Sequence, residues 1–314
     1  MLVSFIIPHK GREELLAQTV QSVIDLDVDL QEIEIIVVTQ NKTLECLTSR
    51  QEIGHVKIIF RPEQETISTL RNKGVEQAAG EYLVFLDADI LLSRDWLKVV
   101  LAEFQAKAGR VLVSAQQRCA SQAEIIEKIR VTLNTSAAAR AVQFLDGRNL
   151  FLPRSIFQAV SGFPEQLVTC EDYYFTNQVH QLGEVYVTSK TSYVHLGEDH
   201  NYAELFRKEI WRGQSNLASF KGRKLTLREI PSLVIPFWHA GFLLLAILAA
   251  FWGKLAIGLG SLALFCLPIC LYTLRLYRLG KGSIRFGDGL RFYSVYFPAR
   301  VIGTLFGVFK TIQD

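Results

Sequence analysis

Two long apolar segments near the carboxyl end of the chain restrict its possible folds more than any other feature. Residues 233–252 contain no charged side chain, and residues 255–274 form a second uncharged run of the same length. A helix of roughly 20 apolar residues matches the hydrocarbon thickness of a bilayer. Only Gly253 and Lys254 separate the runs, so we expect two transmembrane helices that form a tight hairpin. The alternative is a pair of buried core helices.

Basic residues flank this hairpin on both sides. They are Arg223, Lys224 and Arg228 before it, and Arg275, Arg278, Lys281 and Arg285 after it. By the positive-inside rule both groups belong at the cytoplasmic face, which predicts that residues 1–220 are cytoplasmic and attached to the inner (cytoplasmic) membrane. Residues 221–232 would be a basic linker, and residues 275–314 a basic loop followed by an amphipathic helix. That helix, over residues 290–309, is expected at the membrane interface or as a re-entrant segment.

Residues 1–220 alternate strand and helix patterns. Short apolar runs predict strands over 3–8, 33–38, 56–60, 82–86 and 111–114, and helical spacing predicts helices over 12–26, 68–79 and 95–107. This alternation is typical of an α/β fold whose parallel sheet carries helices on both faces. Ser68 and Gly80 are the expected start and stop signals of the second helix. Farther along we expect a long polar helix over 120–140, a strand-like piece over 147–154, a helix over 173–182 and an extended segment over 188–195.

The fourth predicted strand ends in two carboxylates, Asp87 and Asp89. Open α/β sheets bind ligands at the carboxyl ends of their strands. Residues two apart on a strand face the same side, so extended backbone would direct both carboxylates to one spot. Oxygen ligands there suit Mg²⁺ or Mn²⁺ held together with substrate phosphates. The alternative is a solvated acidic turn.

Composition excludes several classes of protein. The net charge of +3 is too small to indicate nucleic-acid binding. The five cysteines lack paired zinc spacing and indicate a reducing compartment without a disulfide framework. No signal-peptide pattern is present at the amino terminus. Neither common glycine-rich phosphate motif occurs, so phosphate must be held in another way.

Two further sites carry candidate chemistry. Glu171 and Asp172 precede a predicted helix, where acidic residues also stabilise the helix dipole. His195 ends an extended segment, and a single histidine is either a ligand or a structural side chain.

The order of these motifs resembles glycosyltransferase family 2. The segments that carry the resemblance are Phe5–Pro8, Arg71–Gly74 with Ala79–Tyr82, Leu86–Asp89, Ser161–Phe163 and Glu171–Asp172, within about residues 3–220. The resemblance implies a GT-A fold, a Rossmann-like domain that binds a nucleotide-sugar, and transfer of the sugar with inversion. It implies a UDP- or GDP-linked donor and a divalent metal, Mg²⁺ or Mn²⁺.

Site residues follow from the resemblance position by position. Asp172 would be the general base and Glu171 its neighbour near the acceptor. Pro8, Gln40, Arg71 and Asp87 would bind the nucleotide-sugar, and Asp89 with His195 would hold the metal. Trp211–Gly213 lies where relatives place a gating or acceptor segment, and Arg212 is a further candidate for the diphosphate.

The chain departs from the family pattern at one important place. Many members have an acidic residue after the second strand that reads the nucleotide base, but here the run is Val38-Thr39-Gln40-Asn41. The base is therefore left open. Trp211-Arg212 reverses the order of the R-W pair in the Q-x-x-R-W signature of processive synthases, which favours addition of one sugar per encounter.

Three functions are consistent with the sequence. The first is a membrane-anchored inverting glycosyltransferase with a lipid-linked or glycan acceptor. The second is a polyprenyl-phosphate glycosyl synthase, whose phosphate acceptor needs little help from a base. The third is a non-catalytic membrane subunit that binds nucleotide or partners. The intact set of four acids, Asp87, Asp89, Glu171 and Asp172, argues against the third.

Overall fold

The computed structural model of the chain describes residues 3–47, 56–135, 140–199, 201–214, 227 and 230–313. The chain divides into two compact units. The first comprises Met1–Ser121 and Ala137–Gly197, and the second comprises Gln122–Ser136 and Glu198–Asp314.

The first unit is an α/β domain. Its strands are β1 (Val3–His9), β2 (Ile33–Thr39), β3 (Val56–Phe60), β4 (Tyr82–Leu86), β5 (Ile90–Leu92), β6 (Arg110–Arg118), β7 (Arg140–Val142), β8 (Asn149–Pro153) and β9 (Glu184–His195). Its helices are α1 (Glu13–Ile24), α2 (Ile67–Glu76), α3 (Trp96–Gln105), α5 (Arg154–Ala159) and α6 (Glu171–His180), with a short 3₁₀ turn over Leu30–Glu32. Helix α4 (Ile125–Thr135) belongs to the second unit.

The nine strands of the described residues form one mixed sheet in the order β3-β2-β1-β4-β8-β6-β9-β5, with β7 against β9. Strands β3, β2, β1 and β4 are parallel, as the sequence predicts. The rest is not parallel throughout, because β8 runs antiparallel to β4 and β5 antiparallel to β9. The chain runs outward from β1 to β3 and then returns to β4 on the other side of β1. Open α/β sheets bind ligands where the strand order changes direction in this way, so we expect a ligand at the carboxyl ends of β1 and β4.

Strand β9 connects two parts of this sheet. It runs parallel to β6, and its residues 189–191 have no partner across β6, because Ala115 pairs with Thr188 and Gln116 already pairs with Ser192. Beyond this bulge β9 pairs with β5, which sets His195 opposite Ile90.

Two predicted helices begin or end at other residues than expected. Helix α2 ends at Glu76 with Gln77 as its C-cap, so Gly80 is not its stop signal. Thr66, not Ser68, caps α2, since the Thr66 hydroxyl accepts the backbone N–H of Thr69 at 3.2 Å. The helix predicted over 120–140 is shorter, because α4 covers Ile125–Thr135 and Arg140 already begins β7.

An aromatic cluster joins β4 to α6. Phe85 of β4 contacts Phe157, Phe163 and Phe175, and the rings of Phe163 and Phe175 stack with centroids 4.0 Å apart. All four side chains are buried. Full burial of one such side chain contributes about 1.5–3 kcal/mol, so the cluster stabilises the packing of α6 on β4.

Helices dominate the second unit. They are α4, α7 (Tyr202–Gln214), α8 (Ile230–Phe251), α9 (Leu255–Leu279) and α10 (Phe286–Gln313). Three of them are long and apolar enough to cross a membrane: α8 and α9, which match the two predicted spans, and the stretch Phe286–Phe309 of α10. Helix α10 begins four residues before the predicted amphipathic helix, and 39% of its most apolar window is buried, against 17% for each of the others. Its predicted position at the interface stays a prediction.

Helix α10 packs closely on α7. A Cβ atom on Gly303 would lie 2.2 Å from the carbonyl oxygen of Ile210, and one on Gly307 would lie 2.1 Å from that of Gln214. Next to this contact, the buried Glu209 carboxylate of α7 pairs with Arg130, Arg212 and Arg300. Burial alone would raise the pKa of Glu209, but these three guanidinium groups lower it to about 2. Glycines and an ion-pair cluster therefore join α7 and α10.

Candidate active site

The first feature of the site is a buried arginine between two carboxylates. Arg71 lies on α2, and its guanidinium donates to Asp87 Oδ1 at 2.9 Å and to Glu171 Oε1 at 3.0 Å. Because one planar guanidinium makes both bonds, the two oxygens lie within about 8 Å of each other. The acids that follow β4 and the acids that begin α6 are thus brought together, as the sequence predicts for one site.

Several contacts compensate the burial of Arg71. Its side chain is 2% exposed, and its guanidinium lies over the Phe163 ring, 5.0 Å from the centroid. Burial alone would lower the pKa of Arg71, but the negative charges of Asp87 and Glu171 outweigh this and raise it. The same guanidinium donates to the carbonyl oxygen of Gly147 at 3.3 Å. A Cβ at Gly147 would lie 2.7 Å from Arg71 Nη2, so the guanidinium can come this close only because residue 147 is glycine.

Asp172 lies beside this arginine, at the start of α6. The backbone N–H of Gly147 donates to Asp172 Oδ2 at 3.3 Å, and the N–H of Tyr173 donates to Oδ1 at 2.7 Å. Burial first, and then the charges of Glu171 and Asp146, raise the pKa of Asp172 to about 7. The preceding residue, Cys170, has left-handed backbone with φ of 64°. Such a conformation costs a non-glycine residue about 1–3 kcal/mol, and strain of this kind is frequent at functional sites.

The second feature is Asp89, whose surroundings differ from the prediction. Strand β4 ends at Leu86, and Ala88–Asp89 form a turn, so Asp87 and Asp89 are not two residues on one face of a strand. Asp87 faces Arg71, whereas Asp89 Oδ2 accepts from Arg12 at 2.8 Å. The expectation of extended backbone through both acids is therefore wrong.

Residues 195–197 wrap around Asp89. His195 Nε2 lies 3.2 Å from Asp89 Oδ1, and the Leu196 backbone N–H donates to the Asp89 carbonyl oxygen at 2.8 Å. A Cβ at Gly197 would lie 1.9 Å from Asp89 Oδ2, so any larger residue there would displace this carboxylate. Burial alone would raise the pKa of Asp89, but His195 and Arg12 together lower it. The carboxylate is thus held ionised and in one orientation.

The pair of Asp89 and His195 fits a divalent cation that substrate phosphates help to hold. Asp89 Oδ1 is buried, and among the described residues its polar neighbour is His195 Nε2, in a contact that lacks good hydrogen-bond alignment. Two neighbouring ligand atoms of an octahedral ion with bonds of about 2.1 Å are about 3.0 Å apart, close to the 3.2 Å between Oδ1 and Nε2. Within the described residues, no group of three or more His, Cys, Asp or Glu side chains is placed to hold a metal. Such an ion would therefore depend on oxygens of the substrate.

Arg148 continues this line of contacts. It precedes β8, and its guanidinium bonds His195 Nδ1 at 3.2 Å and Asp146 Oδ2 at 2.6 Å. Its carbonyl oxygen accepts the backbone N–H of Asp87 at 3.2 Å. Arg148 therefore contacts both the backbone of Asp87 and the side chain of His195, which is the neighbour of Asp89.

Pro8 and Gln40, the predicted nucleotide-binding residues near the ends of β1 and β2, both contact other parts of the protein. Pro8 is buried in β1 opposite Val38. The side-chain amide of Gln40 donates to the carbonyl oxygens of Pro62 and Glu65, at 2.8 and 2.9 Å. Both amide protons thus hold the loop after β3, which leaves the side-chain oxygen of Gln40 as its acceptor for a nucleotide. The role of Gln40 in nucleotide binding stays a prediction.

Arg212 lies in the second unit, on α7. Its guanidinium donates to Glu209 Oε1, at 2.5 Å on the same helix. The neighbouring Trp211 is 51% exposed. A role for Arg212 at the diphosphate stays a prediction.

Sequence reasoning missed four residues of the site. Arg12 and Arg148 have no motif of their own, and their partners lie 77 and 47 positions away. Gly147 and Gly197 did carry a signal, since an isolated glycine next to a strand often marks a close approach of the backbone.

Comparisons with known proteins decide which family this site belongs to. The profile of the family described as glycosyl transferase family 2 matches residues 4–160, half of the chain. The chain belongs to glycosyltransferase family 2. The matched range contains Arg71, Asp87 and Asp89, and the chain is therefore a glycosyltransferase.

Matches to individual proteins extend beyond residue 160. The glycosyltransferase AglE of Haloferax volcanii is 23% identical over 251 residues, which cover 74% of this chain and 79% of AglE. Among solved structures, the mannosyltransferase PcManGT of Pyrobaculum calidifontis, in complex with GDP-Man and Mn²⁺, has a TM-score of 0.60 at 16% identity. The match covers 94% of this chain and 86% of PcManGT.

A second solved structure has the same fold. TarS of S. aureus has a TM-score of 0.53 at 18% identity, over 77% of this chain but only 44% of TarS. Residues 1–349 of TarS have also been solved with UDP and with UDP-GlcNAc. At these identities the two structures support the GT-A fold alone.

Proposed function

We propose that the chain transfers a sugar from a nucleoside-diphosphate donor to a hydroxyl group of a lipid-linked or glycan acceptor, with inversion, at the cytoplasmic face of the membrane. The observation that carries this proposal is the bridge that Arg71 makes between Asp87 and Glu171. It joins Asp87, which follows β4 and would bind the donor, to the start of α6, where the pKa of Asp172 is raised.

The reaction replaces one bond at the anomeric carbon by another and transfers one proton. The acceptor oxygen bonds to the anomeric carbon as the bond from that carbon to the diphosphate breaks, and the electron pair leaves with the diphosphate. Attack comes from the face opposite the leaving group, so the configuration inverts. The acceptor proton passes to Asp172, which acts as general base.

The surroundings of Asp172 support its role as the base. A general base works best when its pKa lies near the working pH, and the pKa of Asp172 is about 7. An ordinary aspartate, with a pKa of about 3.9, would be a weaker proton acceptor. Glu171 is bound to Arg71 and contributes mainly by holding this arginine and by raising the pKa of its neighbour.

Asp87 and Arg71 would bind the donor, and Asp89 with His195 would hold Mg²⁺ or Mn²⁺. The ion, when bound, supplies positive charge that stabilises the leaving diphosphate. The exposed side chain of Arg12 is a further positive group next to Asp89. The bound GDP-Man with Mn²⁺ in one structural neighbour, and UDP-GlcNAc in the other, support this class of donor.

The acceptor side follows from the apolar helices. Helices α8 and α9 are long enough to span a bilayer, and their basic flanks favour a cytoplasmic position for the catalytic unit. An enzyme anchored in this way meets acceptors that are attached to, or grow at, the membrane surface.

Release of nucleoside diphosphate from a panel of UDP- and GDP-linked sugars, by the full chain in nanodiscs, tests the proposal. Asp172→Asn should lower kcat on a hydroxyl acceptor by roughly 10²-fold or more, with donor binding nearly unchanged. Glu76→Gln, which changes an exposed carboxylate on α2, is the matched control. Turnover by Asp172→Asn near the wild-type value would overturn the assignment of the base. A small loss with a polyprenyl-phosphate acceptor would instead identify the polyprenyl-phosphate synthase.

A further inference from the structure

The contact between Arg148 and His195 determines which ring nitrogen of the histidine carries the proton. A guanidinium has N–H donors and no acceptor. Since Arg148 lies 3.2 Å from His195 Nδ1, Nδ1 must be the accepting, unprotonated nitrogen. A neutral imidazole has one N–H, which therefore lies on Nε2 and faces Asp89 Oδ1.

This arrangement is the opposite of the one that a metal requires. A metal binds the lone pair of an imidazole nitrogen, and the other ring nitrogen then donates its N–H to a carboxylate, a carbonyl group or water. For Nε2 to bind the ion next to Asp89, the proton must move to Nδ1. The Nδ1–H group would then point at the N–H groups of the Arg148 guanidinium, and two donors cannot form a hydrogen bond.

We propose that Arg148 is a positioning residue that holds His195 in the tautomer unable to ligate metal, and that Arg148 must release Nδ1 for the metal to bind. The proposal rests on the metal site suggested above, at Asp89 and His195. Arg148 also donates to Asp146 through its other terminal nitrogen and to Gln117 Oε1 at 3.4 Å, so its guanidinium keeps these two partners when it releases His195 Nδ1.

Removal of the Arg148 guanidinium should strengthen metal binding. In Arg148→Gln the side-chain oxygen can accept from Nδ1–H, as a usual second partner of a metal-bound histidine does. Such partners change metal affinity by about 10- to 100-fold. We therefore expect Mn²⁺ alone, measured through the loss of its free electron paramagnetic resonance signal, to bind Arg148→Gln about tenfold more tightly than wild type.

Three variants separate this effect from a simple change in charge. Arg148→Lys keeps a positive donor next to Nδ1 and should bind Mn²⁺ like wild type. In a His195→Ala background, Arg148→Gln should lose most of its gain in Mn²⁺ affinity, because no imidazole remains whose tautomer Arg148 could control. Equal gains with and without His195 would mean that only the positive charge matters, and would overturn the proposal. Unchanged or weaker Mn²⁺ binding by Arg148→Gln would overturn it as well.

Two further measurements test the metal site and the histidine tautomer separately. Asp89→Ala should weaken Mn²⁺ binding in every background, and if it has no effect, the metal site itself is wrong. Nitrogen-15 NMR of labelled histidine in the metal-free wild-type chain should show His195 with its proton on Nε2. A proton on Nδ1 would overturn the proposal even if Arg148→Gln fails to fold.

Discussion

The raised pKa of Asp172 predicts a specific loss of activity in mild acid. Only the ionised carboxylate can accept the acceptor proton, and its pKa is about 7. At pH 6 about one tenth of the carboxylate is ionised, so kcat/KM should fall about tenfold from its plateau at pH 8 to 9. Below pH 6 it should fall about tenfold for each further pH unit.

The cause of the raised pKa supplies a second perturbation. After burial, the largest cause is the negative charge of Glu171. Glu171→Gln removes this charge, so the acidic limb of the profile should move to lower pH. Glu76→Gln on the surface of α2 should leave the limb in place.

The assay is continuous measurement of nucleoside-diphosphate release from pH 5.5 to 9, with a hydroxyl acceptor and the full chain in nanodiscs. A wild-type profile that stays flat from pH 8 down to 5.5 would exclude a base with a pKa near 7. An acidic limb that Glu171→Gln leaves unmoved would show that another group controls it.

Four further perturbations test the site and the membrane region. Asp89→Ala should abolish Mn²⁺-dependent binding of nucleoside diphosphate in calorimetry, whereas unchanged affinity would remove Asp89 from the metal site. Gly197→Ala places a Cβ 1.9 Å from Asp89 Oδ2 and should weaken Mn²⁺ binding at least about tenfold, as loss of an outer-shell contact does, with little change in thermal stability. Gly303→Ala forces a Cβ to within 2.2 Å of the Ile210 carbonyl oxygen and should destabilise the chain by about 1–3 kcal/mol in detergent, so an unchanged melting temperature would count against the packing of α7 on α10. Cysteine at Gly253 should react with an impermeant reagent from outside whole cells, and reaction only after lysis would contradict the hairpin.

Much of the fold was predictable because its signals are local. The apolar run of β4 ends in Asp87, and the acids of α6 begin a helix, so both were recognisable from a few consecutive residues. The parallel strands β1 to β4 follow from alternation along the sequence. The two apolar segments 233–252 and 255–274 match α8 and α9 for the same reason.

The remaining features depend on contacts between distant segments. The turn at Ala88–Asp89 separates two acids that the strand pattern placed on one face, because the backbone bends to meet residues 195–197. The ion pair of Arg12 with Asp89 joins positions 77 apart. No local pattern encodes such a pair, since any surface arginine has the same appearance in the sequence.

The bulge at residues 189–191 of β9 has a consequence for how this chain tolerates changes in length. Strand β5 pairs with the segment just beyond the bulge, so the number of bulged residues decides which residue lies opposite Ile90. Substitutions within the bulge leave that count unchanged. Insertion or deletion of a single residue would bring Val194 or Leu196 opposite Ile90 in place of His195, on the pairing that adjoins Asp89. The number of residues in the bulge therefore keeps His195 opposite Ile90, and the buried Thr191, which donates to Asp95 Oδ1 at 2.7 Å, holds the bulge in place.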